Sequence, residues 1–375
     1  MRILHVIGSL HPRTGGPPAV MTRLGVAQAA EGHDVTLLSR DVTADQDAVR
    51  DAWASVPGHD TATLRFVDDH GDTSPVVADA DFVHLHGVWE PVLLHAARAA
   101  RQHHTPYTVT PHGMLDPWAL SQKKLKKRIA LTMFYRRMLS GAAFVHMLND
   151  DEVRRATPVG FRSPSRVIPN GITLEELDPL PSEGTFRTAH PELADRPFVL
   201  FLGRLHYKKG LDILAQAFTA LAAQHAEVDL VVVGPDEGAE AGFVSAIHAA
   251  DLAGRVHVLG PVYGRDKLAA LVDAACFCLP SRQEGFSIAI LEALASGCPV
   301  VVSEACHFPE LAEQDAGHVV PLEPEAIARH LLEVLADPAA AVAMGARGRR
   351  LVEQRFTWDK VARSMLVAYD EFRLQ

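Results

Sequence analysis

The second half of the chain repeats one pattern, an apolar segment of strand length followed by a stretch with helical periodicity. These apolar segments begin at Pro197, Asp229, Arg255, Ala275 and Pro299. Because they are apolar throughout rather than at alternate positions, both faces of the resulting sheet must be covered, and helical crossovers between parallel strands provide that cover. The pattern therefore predicts an α/β domain built on a parallel sheet.

The first half contains the same pattern in shorter pieces. Strand segments are expected at Arg2–Gly8, Asp34–Ser39, Phe82–Gly87, Tyr107–Thr110 and Ala143–Leu148. The acidic stretch 40–81 shows no regular pattern, so we expect it to be irregular.

A chain of 375 residues favours two domains. The proline- and glycine-containing segment Asp178–Gly184 is typical of a linker. We therefore predict a first domain over residues 1–178, completed by a C-terminal helix over 357–375, and a second domain over 179–356.

Composition restricts the class of protein. A hydrophobic share of 48% and a charged share of 22% are typical of soluble globular proteins. No apolar run approaches bilayer length, and Met1–Gly8 is too short for the core of a signal peptide. The four cysteines form no C-x-x-C pair, which favours buried reduced thiols in a cytoplasmic protein. The formal net charge of −10 argues against general nucleic-acid binding.

The common cofactor motifs are missing from the sequence. No G-x-G-x-x-G or Walker loop opens a helix. The 20 histidines include neither H-E-x-x-H nor a Cys/His finger spacing. We therefore expect no nicotinamide, flavin or metal cofactor.

Two acids in one strand, loop and helix unit are the strongest candidates for a site. Glu284 follows the apolar segment Ala275–Leu279, and Glu292 lies in the helical stretch behind it. Eight helical residues rise about 12 Å and turn about 80°, so both acids can face one site but cannot flank one atom. This spacing suits the two ends of an elongated ligand whose hydroxyls donate to the acids. The alternative is one exposed loop acid and one acid on a helix surface.

The surroundings of these acids carry a family resemblance. They lie in the pattern Pro-Ser-x-x-Glu-Gly-Phe-x-x-x-x-Leu-Glu-Ala-x-Ala-x-Gly-x-Pro-Val-Val. This resembles the E-x7-E signature of glycosyltransferase family 4, the group 1 retaining nucleotide-sugar transferases. The resemblance implies GT-B architecture, an α/β fold with two Rossmann-like domains whose parallel sheets face across a cleft. It also implies that Glu292 binds the ribose hydroxyls and Glu284 the sugar hydroxyls of the donor.

Three further segments resemble the same family. Arg204 and Lys209 follow an apolar strand, where two cations suit a diphosphate, and the family's phosphate-binding motif assigns them that role. The glycine pair ending at Gly16 resembles the loop that places backbone near the donor's distal phosphate. His112, between proline and glycine, resembles the histidine beside the transferred sugar. The resemblance makes His112 and Glu284 the candidate catalytic residues.

The loop and helix start after Glu284 are expected to bind substrate through backbone N–H groups. The residues concerned are Gly285, Phe286, Ser287 and Ile288. Cys306 and His307 stand where the family pattern has a glycine pair, so ligand contact by their loop is left open. For His86, at the end of another strand segment, a structural role and acceptor contact both remain open.

The segment 121–139 is expected to be helical and combines apolar residues with many cations. Its basic residues are Lys123, Lys124, Lys126, Lys127, Arg128, Arg136 and Arg137. Such a cluster attracts an anionic membrane surface or a phosphorylated acceptor. A solvated helix face is the alternative.

Together these features lead to one hypothesis. The resemblance implies a retaining hexosyltransferase that moves a sugar from a nucleoside diphosphate sugar to a hydroxyl acceptor. The acceptor would be a saccharide or lipid-linked saccharide of cell-surface or exopolysaccharide synthesis, and the enzyme could contact the inner face of the plasma membrane. The alternatives are a nucleotide-sugar epimerase of related architecture and a non-catalytic nucleotide-sugar-binding protein.

Overall fold

The computed structural model describes residues 1–41, 43–67, 72–122 and 124–373. The chain divides into two compact units, each built on a parallel sheet. Unit 1 comprises Met1–Gly171 and Trp358–Gln375, and unit 2 comprises Ile172–Thr357. Two parallel-sheet Rossmann-like domains are what the sequence predicted.

The sheet of unit 1 has seven strands, and every strand pair is parallel. The strands are β1 (Arg2–Ile7), β2 (Asp34–Ser39), β3 (Thr63–Phe66), β4 (Phe82–His86), β5 (Tyr107–Thr110), β6 (Phe144–Met147) and β7 (Ser165–Val167). Their order is β3-β2-β1-β4-β5-β6-β7. The direction of the chain across the sheet therefore reverses between β1 and β4, which is the switch point where ligands bind in open α/β sheets.

Helices connect these strands. They are α1 (Gly16–Ala30), α2 (Thr43–Ala54), α3 (Ser74–Ala78), α4 (Pro91–Gln102), α5 (Pro117–Ser121), α6 (Lys124–Ala130), α7 (Arg136–Ser140) and α8 (Asp150–Ala156). The expectation of an irregular stretch over 40–81 is wrong, because α2, β3 and α3 lie within it. The helix expected over 121–139 is present as α6 and α7 joined by one π-helical turn, while Lys123 lies outside the described residues.

The sheet of unit 2 has six strands, again all parallel. They are β8 (Phe198–Leu202), β9 (Asp229–Val233), β10 (Val256–Gly260), β11 (Cys276–Leu279), β12 (Val300–Ser303) and β13 (His318–Val320). Their order, β10-β9-β8-β11-β12-β13, places the switch point between β8 and β11. The helices are α9 (Thr185–Ala189), α10 (Leu211–Ala222), α11 (Glu240–Ala249), α12 (Gly264–Asp273), α13 (Ile288–Ala295), α14 (Glu310–Glu313), α15 (Pro324–Ala336) and α16 (Pro338–Arg355).

The central strands of unit 2 are apolar because helices cover both of their faces. Every residue of β8, β9, β11 and β12 is buried. The four cysteines are unpaired and buried in this core, as the sequence predicted. Burial raises the pKa of each thiol.

The last helix, α17 (Trp358–Arg373), packs in unit 1. Tyr369 stacks on Phe82, with ring centroids 4.2 Å apart. The structural division falls at Ile172, upstream of the predicted division after residue 178. The reason is that Ile172 and Leu177 belong to the apolar core of unit 2, and the Ile172 N–H donates to the carbonyl of Phe356.

Candidate functional site

A partly buried ion pair lies at the switch point of unit 2. Lys209 follows β8, Glu284 follows β11, and the lysine Nζ lies 2.6 Å from the glutamate Oε1. The two side chains are only 17% and 9% exposed. Parallel neighbouring strands bring the loops at their carboxyl ends to one edge of the sheet. The sequence assigned both residues to one site, and the structure brings them into contact.

The two loops are also tied together through their backbones. The Arg282 N–H donates to the carbonyl of Lys208 at 2.7 Å. Gly210 has φ 71° and packs so closely on the carbonyl of Pro280 that an added Cβ would lie 1.9 Å from that oxygen. Glycine at this position therefore allows the loop after β8 to approach the loop after β11. The cation and the acid are held on a rigid frame.

Glu284 is oriented by three groups, which leave one of its oxygens available. Its Oε1 accepts from Lys209 and from the Ser281 hydroxyl, the latter at 2.5 Å. Its backbone N–H donates to the carbonyl of Ala305 at 3.1 Å. Among the described residues, none donates to Oε2. This carboxylate can therefore accept a ligand hydroxyl without losing its partners.

The loop after β12 supports Glu284 in spite of lacking the glycine pair of the family pattern. His307 adopts the left-handed conformation, φ 52°, which glycine accepts more easily. The Cys306 thiol is buried and donates to the carbonyl of Leu279 at 3.5 Å. The chain keeps a backbone conformation suited to glycine here, and the Cys306 side chain packs inward.

Arg204 lies in the same loop after β8 as Lys209 and contacts another acid. Its Nη1 lies 2.9 Å from both carboxylate oxygens of Glu237, which follows β9. The arginine is 64% exposed and the glutamate 38%. A guanidinium in this position can also bind a phosphate, using the N–H groups that contact Glu237 here.

Glu292 has a lysine partner of its own. It lies on α13, and its Oε1 accepts from Lys267 of α12 at 2.6 Å. Because α13 begins only at Ile288, the eight residues from Glu284 to Glu292 are only partly helical. Each signature acid thus pairs with a lysine that balances its charge and presents a second oxygen.

Between the two acids, the start of α13 can contact a ligand through backbone N–H groups rather than through side chains. The ring of Phe286 packs against Phe308 and Phe356, at 5.6 and 6.0 Å between centroids. Ser287 is buried at the N-cap of α13 and makes no side-chain capping bond. The first N–H groups of α13 therefore remain suited to an anion or a sugar oxygen. Ligand binding by Gly285, Phe286, Ser287 and Ile288 stays a prediction.

Family comparisons agree with this geometry on both units. A family described as "Glycosyl transferase 4-like domain" matches residues 15–171, and one described as "Glycosyl transferases group 1" matches residues 183–351. The chain belongs to the group 1 glycosyltransferases. The enzyme, a glycosyltransferase, therefore transfers a sugar to an acceptor, and its GT-B architecture is the fold class predicted from the sequence.

Individual relatives cover nearly the whole glycosyltransferase. The chain is 28% identical to a phosphatidyl-myo-inositol mannosyltransferase of Mycolicibacterium smegmatis, across 95% of this chain and 90% of the relative. It is 27% identical to a GDP-mannose-dependent alpha-(1-6)-phosphatidylinositol monomannoside mannosyltransferase of Mycobacterium tuberculosis, across 96% of each. The crystal structure of Anabaena Alr3699/HepE in complex with UDP matches with a TM-score of 0.77 at 19% identity, across 99% of this chain and all of that one. The predicted enzyme class, a hexosyltransferase, is confirmed.

Two predicted site residues of the glycosyltransferase lie in unit 1, after β1 and β5. Gly16 opens α1 next to Gly15, whose φ is 97°. His112 is half-buried and has φ 50°, a strained conformation for a residue other than glycine. Its loop is held by Glu152, whose carboxylate accepts from the Gly113 N–H at 2.8 Å. A ligand role of Gly16 and His112 stays a prediction.

Sequence reasoning missed several residues of this site. Glu237, Lys267 and Ser281 contact predicted residues, and Glu152 accepts from the Gly113 N–H next to His112. Ser281 lies in the quoted motif but was given no role there, and the other three belong to no motif. The available signal was their place in the chain, since Glu237 and Ser281 each follow a strand at the carboxyl edge of the unit 2 sheet.

The basic segment of unit 1 exposes apolar side chains as well as cations. The exposed fractions are 72% for Leu125, 51% for Ile129, 64% for Met133 and 52% for Phe134. Leu125, Ile129 and Met133 are four residues apart, so they form one stripe on the helix surface. Among the described helices, none is both long and apolar enough to cross a membrane.

Proposed function

We propose that this glycosyltransferase uses a nucleoside diphosphate hexose, transfers the hexose with retention, and holds the donor at the carboxyl edge of the unit 2 sheet. The observation that carries this proposal is the Lys209–Glu284 pair at the switch point. Arg204 lies in the same loop after β8 as Lys209. Lys209 and Arg204 would bind the diphosphate. The open oxygens of Glu284 and Glu292 would accept from the sugar and ribose hydroxyls, respectively.

The group that most needs stabilisation during transfer is the departing diphosphate. As the bond between the anomeric carbon and the phosphate oxygen breaks, negative charge grows on the departing nucleoside diphosphate. Two preorganised cations and the free N–H groups of α13 stabilise that charge. The acceptor hydroxyl attacks the anomeric carbon and, as the family resemblance implies, gives its proton to an oxygen of the departing diphosphate. Retention rests on the family resemblance.

The donor and acceptor classes follow from the relatives. Those named above are mannosyltransferases, one of them GDP-mannose-dependent and acting on a phosphatidylinositol mannoside, while the Anabaena structure contains UDP. GDP-mannose and UDP-glucose are therefore the first donors to test. A saccharide or lipid-linked saccharide of the cell surface is the proposed acceptor.

The test begins with a thermal-shift panel of nucleoside diphosphate sugars, followed by transfer to a proven acceptor. Arg204→Ala should reduce transfer about 100- to 1000-fold, because it removes a charge-stabilising donor. Its melting temperature should stay close to that of the wild type, because Arg204 is mostly exposed. Transfer by Arg204→Ala at a near wild-type rate would overturn the phosphate assignment. Consumption of donor without acceptor would instead indicate an epimerase, and donor binding without turnover a binding protein.

We further propose that the stripe of Leu125, Ile129 and Met133, with the cations around it, contacts an anionic membrane surface. Lys124, Lys126, Arg128, Arg136 and Arg137 are all exposed on the same helical segment. Apolar insertion and attraction to anionic lipids reinforce each other on such a helix. A peripheral position would bring the enzyme to a lipid-linked acceptor.

Flotation with phosphatidylglycerol vesicles tests this surface. Ile129→Ser should lower the bound fraction, whereas Val367→Ser should not, since Val367 is 70% exposed on α17 outside the stripe. Replacing Lys124 and Lys126 by glutamine should weaken binding at low salt. Equal flotation of all variants would remove the proposal.

A further inference from the structure

A continuous row of hydrogen bonds begins at a main-chain carbonyl inside unit 1. The ring Nε2 of His146 lies 2.7 Å from the carbonyl oxygen of Ile168. The Thr110 hydroxyl joins the other nitrogen of His146, at 2.7 Å, to His84 Nε2, at 2.5 Å. His84 Nδ1 lies 2.6 Å from the Tyr369 hydroxyl. His84, Thr110, His146 and Tyr369 are all buried.

The row continues from Tyr369 to the predicted site. The amide Nε2 of Gln28 lies 3.4 Å from the Tyr369 hydroxyl, and its Oε1 lies 2.7 Å from His5 Nε2. His5 Nδ1 then contacts His86 Nε2 at 2.9 Å, and His86 Nδ1 contacts His112 Nε2 at 3.1 Å. The row thus joins β6, β5, α17, α1, β1 and β4 to the loop that carries His112.

One atom sets the direction of every bond. The carbonyl of Ile168 only accepts, so His146 donates from Nε2, and its Nδ1 must accept from the single hydroxyl hydrogen of Thr110. Thr110 therefore accepts from His84 Nε2, and His84 Nδ1 accepts from Tyr369. The Tyr369 oxygen then accepts from Gln28 Nε2, and Gln28 Oε1 accepts from His5 Nε2. Because a neutral imidazole has one N–H and one lone pair, His5 Nδ1 accepts from His86 Nε2, and His86 Nδ1 accepts from His112 Nε2.

These bond directions hold only for neutral imidazoles, and burial keeps the rings neutral. Loss of hydration lowers the pKa of His5 and of His146 to about 4, and that of His112 to about 3. The pKa values of His84 and His86 also lie well below the ordinary value, first because of burial and then because of the neighbouring imidazoles. Near neutral pH each ring therefore carries one proton.

We propose that this row fixes His112 as the Nε2–H tautomer, so that its Nδ1 lone pair accepts a hydrogen bond from a saccharide hydroxyl. Among the described residues, none donates to His112 Nδ1. Gln28, His5 and His86 are then positioning residues, which act through His112 and touch no ligand. His112 serves as a hydrogen-bond acceptor, not as a cation beside the diphosphate. The saccharide step rests on the proposed function.

A metal ion is the other ligand that this cluster suggests. His5, His84 and His86 offer ring nitrogens within 4.8 Å of one another. In the row these nitrogens already pair with each other or with Gln28, Tyr369, Thr110 and His112. A metal would have to displace these bonds, so the structure assigns the cluster to hydrogen bonding.

The direct test is nitrogen NMR of the full chain labelled with 15N-histidine, without ligand. His5, His84, His86, His112 and His146 should each show a protonated Nε2 and an unprotonated Nδ1 at pH 7. Signals are assigned by single substitutions. An Nδ1–H tautomer at His112, or an equal mixture, would overturn the proposal. A shift of the His5, His84 and His86 signals on adding Zn²⁺ would favour a metal site instead.

A matched pair at Gln28 tests whether the acceptor that Gln28 offers to His5 controls His112. Gln28→Glu keeps an acceptor for His5 and should keep the Nε2–H tautomer. Gln28→Leu removes that acceptor, which allows the row to reverse and should give His112 an Nδ1–H population. An unchanged His112 signal in folded Gln28→Leu would contradict control by the row. Should Gln28→Leu fail to fold, the wild-type spectrum alone decides.

Transfer kinetics then separate this inference from the proposed function. Gln28→Leu should lose about two- to tenfold in kcat, the effect of one weakened hydrogen bond. Nucleoside diphosphate affinity, a property of unit 2, should stay unchanged. A tautomer change without loss of kcat would refute the role of Nδ1. Wild-type protein that binds no nucleoside diphosphate, yet shows the expected tautomers, would refute the proposed function alone.

Discussion

The two parallel sheets hold their polar residues in different places. In unit 2 the central strands are apolar, and the charged candidates lie in loops and helices outside them. In unit 1 imidazoles lie within the strands, where His5, His84 and His146 are buried and hydrogen-bonded. The unit 2 candidates therefore lie outside the apolar core of their sheet, while the unit 1 site is continuous with its core.

The largest expected effect comes from removing Lys209, the cation of the unit 2 pair. Lys209→Ala should reduce transfer at least about 100-fold. It should also destabilise unit 2 by about 1–3 kcal/mol, because the mostly covered Glu284 carboxylate is left without its cation. Steady-state kinetics and denaturant unfolding measure the two effects.

The neighbouring Lys208→Ala is the matched control for that change. It removes an equal charge from the same loop but not from the Glu284 pair. We expect a smaller loss of transfer than in Lys209→Ala, because Lys208 is not part of that pair. Equal losses in both variants would mean that the loop's net charge matters rather than the pair.

Acid should affect the units unequally. The folded pKa values of His5 and His146, about 4, lie below the value of about 6.5 expected in the unfolded chain. The unfolded state therefore binds more protons between pH 6.5 and 4, and the free energy of unfolding falls as pH falls. Each such histidine should remove about 1.4 kcal/mol per pH unit.

Tryptophan fluorescence can follow this loss in unit 1. All four tryptophans, Trp53, Trp89, Trp118 and Trp358, belong to that unit. Hydrogen exchange with peptide resolution should show unit 1 opening before unit 2 as pH falls. Denaturant unfolding followed by this fluorescence gives the free energy of unfolding of unit 1, and a value that stays constant between pH 6.5 and 4 would contradict buried neutral histidines.

The smallest expected effect concerns the exposed pair of Arg204 and Glu237. Glu237→Gln removes a carboxylate that competes with phosphate for the guanidinium. Because the pair is exposed, nucleoside diphosphate should bind tighter by no more than about fivefold. Calorimetric titration measures this change. Weaker binding would show that Glu237 instead orients Arg204 for the phosphate.

The same contrast explains what the sequence could predict. Apolar segments such as β8 and β11 identified the unit 2 sheet, since burial on both faces leaves a clear pattern. The motifs around Arg204 and Glu284 identified the family. The pairing of Lys267 with Glu292 could not be predicted, because it depends on how α12 packs against α13.

The histidine row could not be predicted from the sequence for a related reason. Its members come from six elements far apart in the sequence, and Tyr369 reaches His84 only after α17 has packed in unit 1. From the sequence, His86 could equally have been structural or in contact with acceptor. Only the directions of hydrogen bonds in the folded unit suggest a function for it.

A crystal structure of the protein with a bound nucleoside diphosphate tests the central claim most directly. The account predicts a diphosphate within hydrogen-bond distance of Arg204 and Lys209, with ribose hydroxyls donating to Glu292 Oε2. A nucleotide bound away from the carboxyl edge of the unit 2 sheet, or one that leaves Lys209 and Glu292 untouched, would contradict it.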